Sequence, residues 1–252
     1  MKEQKKYAIS VIAGLLTIIV SSIILFSSGS YAVYTADTAK RKLPVYGVGR
    51  DDGALSISFD CAWGTDYTDK ILDTLDFYNV KATFFVVQFW AEKYPDYLKK
   101  IVGRGHEVGT HSKTHPKMSK LSAEEIEEEL KSSVAAIENV TGQKVKLFRP
   151  PFGDYDDKVI TAAGNLGLYT IQWNVDSLDW KNLSAEQIAA RVIKKAGSGS
   201  IILMHNNGLH TAESLPLIFT ATQQKGFVYR PISELIYTDD FRITPDGTQI
   251  KN

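Results

Sequence analysis

Ala54-Leu-Ser-Ile-Ser-Phe-Asp60 is an apolar run of β type that ends on a carboxylate; the helix-period segment Thr68–Tyr78 and a second β-type run, Ala82–Val87, follow it. The alternation continues through Tyr97–Val102, Glu107–Thr110, Ser122–Val140, Leu147–Arg149, Lys158–Leu166, Tyr169–Val175, Ala185–Lys195, Ile201–His205 and Ser214–Gln224. Strands and helices that take turns in this way imply parallel strands joined by helical crossovers, an α/β domain. Two helix starts are marked by capping boxes, Ser122 with Glu125 and Ser184 with Gln187, which satisfy free N–H groups at a helix N-terminus. The acidic run Glu124, Glu125, Glu127, Glu128 and Glu129 falls in the first turns of one of these helices, where the dipole favours negative charge, and reads as a solvated face.

Asp60, His111, Arg149, Asp179 and His205 each fall at or just past the C-terminal end of an expected strand. In a parallel (β/α) barrel those ends share one face, and loops on that face build active sites. Residues far apart in sequence are therefore expected to converge.

A length of 252 residues suffices for one large α/β domain. Lys plus Arg and Asp plus Glu balance at 29 each, which removes the electrostatic footprint of a nucleic-acid binder. Lys2, Lys5 and Lys6 precede an apolar stretch, Tyr7 to Phe26, long enough to span a bilayer. That layout predicts a cytoplasmic segment 1–6, a single-pass membrane anchor over 7–26 and an extracytoplasmic remainder, although Lys40, Arg41 and Lys42 weaken the charge asymmetry. Small residues at Ser30 and Ala32 leave the alternative of a signal cleaved after Ala32 and a secreted protein. Residues 27–45 read as a linker, 46–240 as the domain and 241–252 as a tail. The single cysteine, Cys61, excludes an internal disulfide; a small buried hydrophobe is the plain reading of such a residue.

His111 and His115 lie four apart, so in a helical turn they share a face and can bind one metal ion; the same spacing is common on solvated helices. Asp60 suits a general base if Arg149 keeps it ionised, and His205 suits a general acid if Asp179 keeps it charged. Ordinary structural Arg–Asp and His–Asp pairs would give the same pattern. Trp180 and Leu203 suit a methyl pocket, or plain core, and Phe152 follows two prolines that rigidify the turn, so its backbone N–H could face an oxyanion. No Gly-x-Ser-x-Gly elbow supports a serine hydrolase.

Ser58-Phe-Asp60, His111-xxx-His115, Arg149-Pro-Pro-Phe-Gly153, Asp176-Ser-Leu-Asp-Trp180 and Leu203-Met-His205 resemble, in order, the five motifs of the polysaccharide deacetylases with a NodB homology domain, carbohydrate esterase family 4. The resemblance spans about Tyr46 to Tyr237. It implies a distorted (β/α) barrel and metal-dependent removal of N-acetyl groups from N-acetylhexosamine residues of cell-wall glycan strands. It also implies Asp60 as base, Arg149 as the residue orienting it, His111 and His115 as metal ligands, and His205 as acid tuned by Asp179. Phe152 takes the oxyanion position, usually tyrosine, and Trp180 and Leu203 line the acetyl pocket. The expected ion is zinc, with cobalt as the other choice.

Cys61 departs from this pattern, standing where the family has the aspartate of an Asp–His–His metal site. A thiolate carries the same charge and binds zinc, with a Zn–S bond of about 2.3 Å offsetting its shorter side chain, so Cys61 is the expected third ligand; Asp66 is a spare carboxylate nearby. The run Phe59-Asp-Cys-Ala-Trp-Gly64 resembles the sporulation-associated PdaB type, which implies peptidoglycan as substrate. The competing expectation is a catalytically impaired glycan-binding protein on a deacetylase frame.

Overall fold

The computed structural model describes residues 41–252. The expected segments 1–6 and 7–26, and most of the linker, lie outside the described residues. Strand β1 (Gly47–Val48) precedes the central strand β2 (Ala54–Cys61). Then come α1 (Thr68–Phe77), β3 (Thr83–Val86), α2 (Gln88–Lys93), α3 (Pro95–Gly103), β4 (Glu107–Thr110), α4 (Ala123–Thr141), β5 (Leu147–Phe148), α5 (Asp157–Asn165), β6 (Tyr169–Thr170) and β7 (Val175–Asp176). The chain continues through α6 (Ala185–Lys195), β8 (Ile201–His205), α7 (Thr211–Gln224), β9 (Val228–Tyr229), α8 (Ile232–Leu235), β10 (Phe241–Ile243) and β11 (Thr248–Lys251). Both expected capping boxes form, at Ser122 and Ser184.

The main sheet runs β6-β5-β4-β3-β2-β8-β7 with β9 beside the start of β2, and all its pairings are parallel. Its edge strands β6 and β7 are joined by only Ile171–Asn174. Five residue steps reach at most about 17 Å, whereas seven strands laid flat would separate their edges by roughly 29 Å. The sheet must therefore curl into an open barrel with helices outside: the alternation implied the parallel α/β order, and the family resemblance the distorted barrel. The split between β6 and β7 corrects the single strand expected over Tyr169–Val175: Ile171 bridges to Val45 and the Gln172 N–H donates to the Val45 carbonyl at 2.7 Å, so these residues serve the N-terminal segment. The stretch expected as a tail pairs antiparallel as β10–β11 and joins β1. Among the described residues no helix is long and apolar enough to cross a membrane.

Period-two alternation on β2 sorts its side chains. Leu55, Ile57, Phe59 and Cys61 enter the core packed beneath the helices, with Leu72, Leu75 and Trp90. Ser56, Ser58 and Asp60 take the other face, with Ser58 Oγ donating to the Ile202 carbonyl at 2.7 Å. A second core, including Val45, Phe85, Leu147, Ile201 and Leu235, occupies the barrel interior.

His106, just before β4, carries a testable stability term. It is buried, its Nδ1 accepts from the Ala82 N–H at 3.3 Å, and its Nε2 has no hydrogen-bond partner. Burial, then Lys81, pushes its pKa down to about 4. The folded state keeps this imidazole neutral, so its contribution is present above the unfolded pKa and is lost as pH falls from about 6.5 towards 4. Urea unfolding between pH 7 and 4.5 is expected to show wild type losing its stability margin over His106→Gln. A pH-independent margin would contradict this.

Candidate active site

The C-terminal ends of the parallel strands surround a cleft of about 960 Å³ lined by Asp60, His111, His115, Phe152, Trp180, Leu203 and His205, among others. Asp60 ends the row Ser56, Ser58, Asp60 on the face of β2 turned away from the helices and is 7% exposed. Arg149, fully buried one residue past β5, donates from Nη1 to Asp60 Oδ1 at 2.9 Å and from Nη2 to the Gln172 carbonyl at 3.1 Å. Its guanidinium lies 4.1 Å from the Phe85 ring centre, sandwiched towards Trp173 at 5.6 Å. Burial acts to raise the Asp60 pKa; the nearby His111, the charges of Arg149 and His205 and the Arg149 hydrogen bond outweigh it and hold the carboxyl below its ordinary value.

At the end of β8, His205 Nδ1 donates to Asp179 Oδ1 at 2.7 Å, which leaves Nε2 for the cleft. Asp179 is fully buried and its Oδ2 accepts from the His205 N–H at 2.8 Å and the Thr211 hydroxyl at 2.6 Å. Burial opposes charge on His205, yet the Asp179 hydrogen bond and the charges of Asp179 and Asp60 raise its pKa above the ordinary value. The two titrating groups are thus driven apart, towards a carboxylate at Asp60 and an imidazolium at His205.

His111 and His115 meet with ring centres 4.9 Å apart, but not on a helical turn. The segment is a loop in which Ser112 and His115 have φ of 73° and 61°, and the Ser112 hydroxyl accepts from the His115 N–H at 3.0 Å. Glu129, expected on a solvated face, is 9% exposed: it accepts from the N–H groups of Lys113 and Thr114 at 2.9 and 2.8 Å and from the Thr114 hydroxyl at 2.7 Å. It fastens the histidine loop to α4, and its position in the acidic run gave no hint of this.

His111 Nδ1 lies 2.7 Å from the Arg149 carbonyl, which can only accept, so the proton sits on Nδ1 and the Nε2 lone pair is free. That lone pair faces Asp60 Oδ2 at 3.5 Å, two acceptors that ask for a cation or a donated proton between them. Burial, foremost, lowers the pKa of both histidines, that of His115 to about 4. Two neutral imidazoles therefore fit a divalent ion.

Cys61 does not fit as the third ligand. β2 runs through it, so alternation turns its side chain away from Asp60 and into the core under the helices; it is fully buried and does not line the cleft. Burial, then the Asp60 charge, pushes its thiol pKa far up, the opposite of what a thiolate ligand needs. Among the described residues no three His, Cys, Asp or Glu side chains come together as a metal-holding group. Cys61→Ala is expected to leave zinc affinity within about twofold, while His111→Ala removes measurable binding; equal losses by calorimetry would put sulfur on the metal.

Phe152 sits at the tip of the Pro150–Gly153 turn with φ of 60°, 64% exposed over the cleft. Trp180 is half-exposed at the rim, and Leu203 is buried at the floor beside Trp173, which the sequence reading had not singled out. Gln172 was also missed; its side-chain amide donates to the Gly153 carbonyl at 3.1 Å, coupling the Phe152 turn to the carbonyl that holds Arg149.

A family model for polysaccharide deacetylase matches residues 47–171. The chain is 37% identical over 193 residues to the uncharacterized protein YlxY of Bacillus subtilis, covering 77% of this chain but only 60% of YlxY. It is 32% identical over 194 residues to a peptidoglycan-N-acetylglucosamine deacetylase of Bacillus cereus, covering 75% of this chain and 91% of the relative. The structure of wild-type BA3943, a CE4 family pseudoenzyme from Bacillus anthracis, superposes with a TM-score of 0.74 at 36% identity, over 76% of this chain and 68% of that chain. A BA3943 mutant with restored enzymatic activity superposes with the same TM-score at 38% identity, over 76% and 70%. The five ordered motifs, the shared fold and identity along nearly the whole of a relative converge on one conclusion: this chain belongs to the polysaccharide deacetylase family.

Proposed function

We propose that the chain hydrolyses the N-acetyl groups of N-acetylhexosamine residues in a cell-wall glycan, with peptidoglycan as the polymer. The observation that carries this reading is the pairing, in one cleft, of a carboxylate held ionised by Arg149 with an imidazole held charged by Asp179. Asp60 takes a proton from the attacking water. His205 gives its Nε2 proton to the leaving amine nitrogen as the C–N bond breaks, and acetate departs. Arg149 orients Asp60, the Phe152 backbone N–H steadies the developing oxyanion, and Trp180 and Leu203 hold the acetyl methyl. A zinc or cobalt ion held by His111 and His115 would polarise the acetamide carbonyl and acidify water.

Identity to the Bacillus cereus deacetylase supports the polymer. The resemblance of Phe59–Gly64 to the PdaB type supports a sporulation setting, and the basic residues ahead of 7–26 support an extracytoplasmic domain, anchored in the membrane or released after Ala32.

A second reading is favoured by the buried, turned-away Cys61 and by the likeness to BA3943: a glycan-binding protein without turnover. Acetate release from peptidoglycan and from N-acetylglucosamine oligomers, with added zinc or cobalt and with chelator, separates the two. Release that the chelator stops supports the hydrolase; glycan binding with no release under any metal supports the binding protein.

A further inference from the structure

Gln172 lies in the four-residue link between β6 and β7, the two edges of the barrel, and is 2% exposed. Hydrogen bonds fix its backbone from two directions. Its N–H donates to the Val45 carbonyl at 2.7 Å, while its carbonyl accepts at 3.1 Å from Nη2 of Arg149, the guanidinium that holds Asp60. From a backbone so held, the side chain reaches a third partner: Nε2 donates to the Gly153 carbonyl at 3.1 Å.

That partner belongs to a turn that needs holding. Phe152 and Gly153 have φ of 60° and 67°, two left-handed residues in succession, and a phenylalanine stays in that conformation only where its surroundings enforce it. The Phe152 ring stands mostly in solvent, so packing alone supplies little of that constraint. Polar contacts supply it instead. The Gly153 and Asp154 N–H groups donate to the Pro150 and Pro151 carbonyls at 3.1 and 2.9 Å and close the turn on itself. Asp154 then accepts from the Ser119 N–H at 2.8 Å and the Ser119 hydroxyl at 3.0 Å, which anchors the outer end. Gln172 anchors the turn to the barrel. A Cβ added to Gly153 would come within 3.2 Å of both Gln172 Oε1 and the Trp173 ring, so the turn lies directly against this pair.

Resting on the hydrolase reading above, we infer that Gln172 is a positioning residue for the reaction: its side chain seats the Phe152 turn, and so aims the Phe152 N–H, relative to the Asp60–Arg149 pair that its carbonyl braces. One residue thereby sets the spacing between the base and the oxyanion donor. Both groups must meet the same acetamide, and an aimed donor counts most when charge develops on the carbonyl oxygen. A turn released from Gln172 still admits the acetylated sugar but presents its N–H to the wrong point, so the loss falls on the chemical step and not on binding.

The test is steady-state acetate release from N-acetylglucosamine tetramer by the zinc-loaded full chain and its Gln172→Met and Gln172→Asn variants, with urea unfolding and zinc calorimetry on the same proteins. Methionine keeps the length and bulk of the side chain and donates nothing; asparagine keeps the amide but withdraws it by one methylene, and carries the test if Gln172→Met fails to fold. Removing an oxyanion donor outright lowers kcat by about 10²–10³-fold, and a mis-aimed donor is expected to lower it by about 10–100-fold, with KM and zinc affinity within about twofold of wild type. A merely structural residue would shift the urea midpoint and leave kcat per folded molecule unchanged, and that result overturns the assignment. A loss carried by KM, or by weakened zinc binding, overturns it as well. Wild type that releases no acetate removes the hydrolase reading and the assignment with it, whereas active wild type beside fully active variants removes the assignment alone.

Discussion

Arg149→Met is expected to lower the unfolding free energy by about 3–5 kcal/mol at neutral pH and to abolish acetate release. The guanidinium is fully buried, shares a hydrogen bond with Asp60, and stacks on Phe85. Methionine preserves much of the volume but leaves a carboxylate in a low-dielectric site without its partner, and that uncompensated charge is the main cost. The pH dependence identifies the cause. Asp60 is held below its ordinary pKa in the native protein, so its pairing stabilises the fold above the unfolded carboxylate pKa and is lost as pH falls through the native value. Without Arg149 the carboxyl protonates at higher pH, and a neutral acid needs no cation. The gap between wild type and variant should therefore narrow on acidification, as read from urea unfolding at pH 7 and pH 4. A loss below about 1 kcal/mol, or a gap independent of pH, would mean that the Asp60 charge is not what Arg149 compensates.

Asp179→Asn is expected to reduce kcat by about 10²–10⁴-fold with KM nearly unchanged. Asp179 receives three donors, His205 Nδ1–H, the His205 N–H and the Thr211 hydroxyl. An amide has one acceptor oxygen, so in either orientation an N–H₂ faces a donor: it either turns towards Nδ1, forcing the wrong tautomer, or faces the His205 N–H and Thr211. The lost charge also matters. Asp179 raises the His205 pKa, so the protonated acid persists to higher pH in wild type, and the same pairing stabilises the fold below the unfolded histidine pKa and fades as pH rises through the raised value. The alkaline limb of the kcat profile should move to lower pH in the variant. A limb that stays in place would assign it to another group.

What was legible in the sequence follows from geometry that a pattern can carry. Asp60, His111, Arg149, Asp179 and His205 were placed together because parallel strands put their C-terminal ends on one face, and each residue closes or follows a strand whose apolar run is plain. Cys61 was misplaced because motif position says which residue stands beside Asp60 but not that β2 continues through it; one more residue of strand sends the side chain to the opposite face. Glu129 was misread for a related reason: the dipole argument fixes its place on α4, while its burial comes from a loop that crosses α4. Strands β10 and β11 were taken for a tail, since three- and four-residue strands acquire meaning only through distant pairing with β1. The six-residue α2 is too short to show a helical period.

The most direct test of the deacetylase account is acetate release from N-acetylglucosamine oligomers by the full chain with zinc, measured beside Asp60→Asn. The account predicts release by wild type and a fall of about 10²–10⁴-fold in the variant while the histidine pair still binds zinc. Equal release by the two proteins would remove Asp60 from the chemistry, and no release by folded, zinc-treated wild type would contradict the account itself.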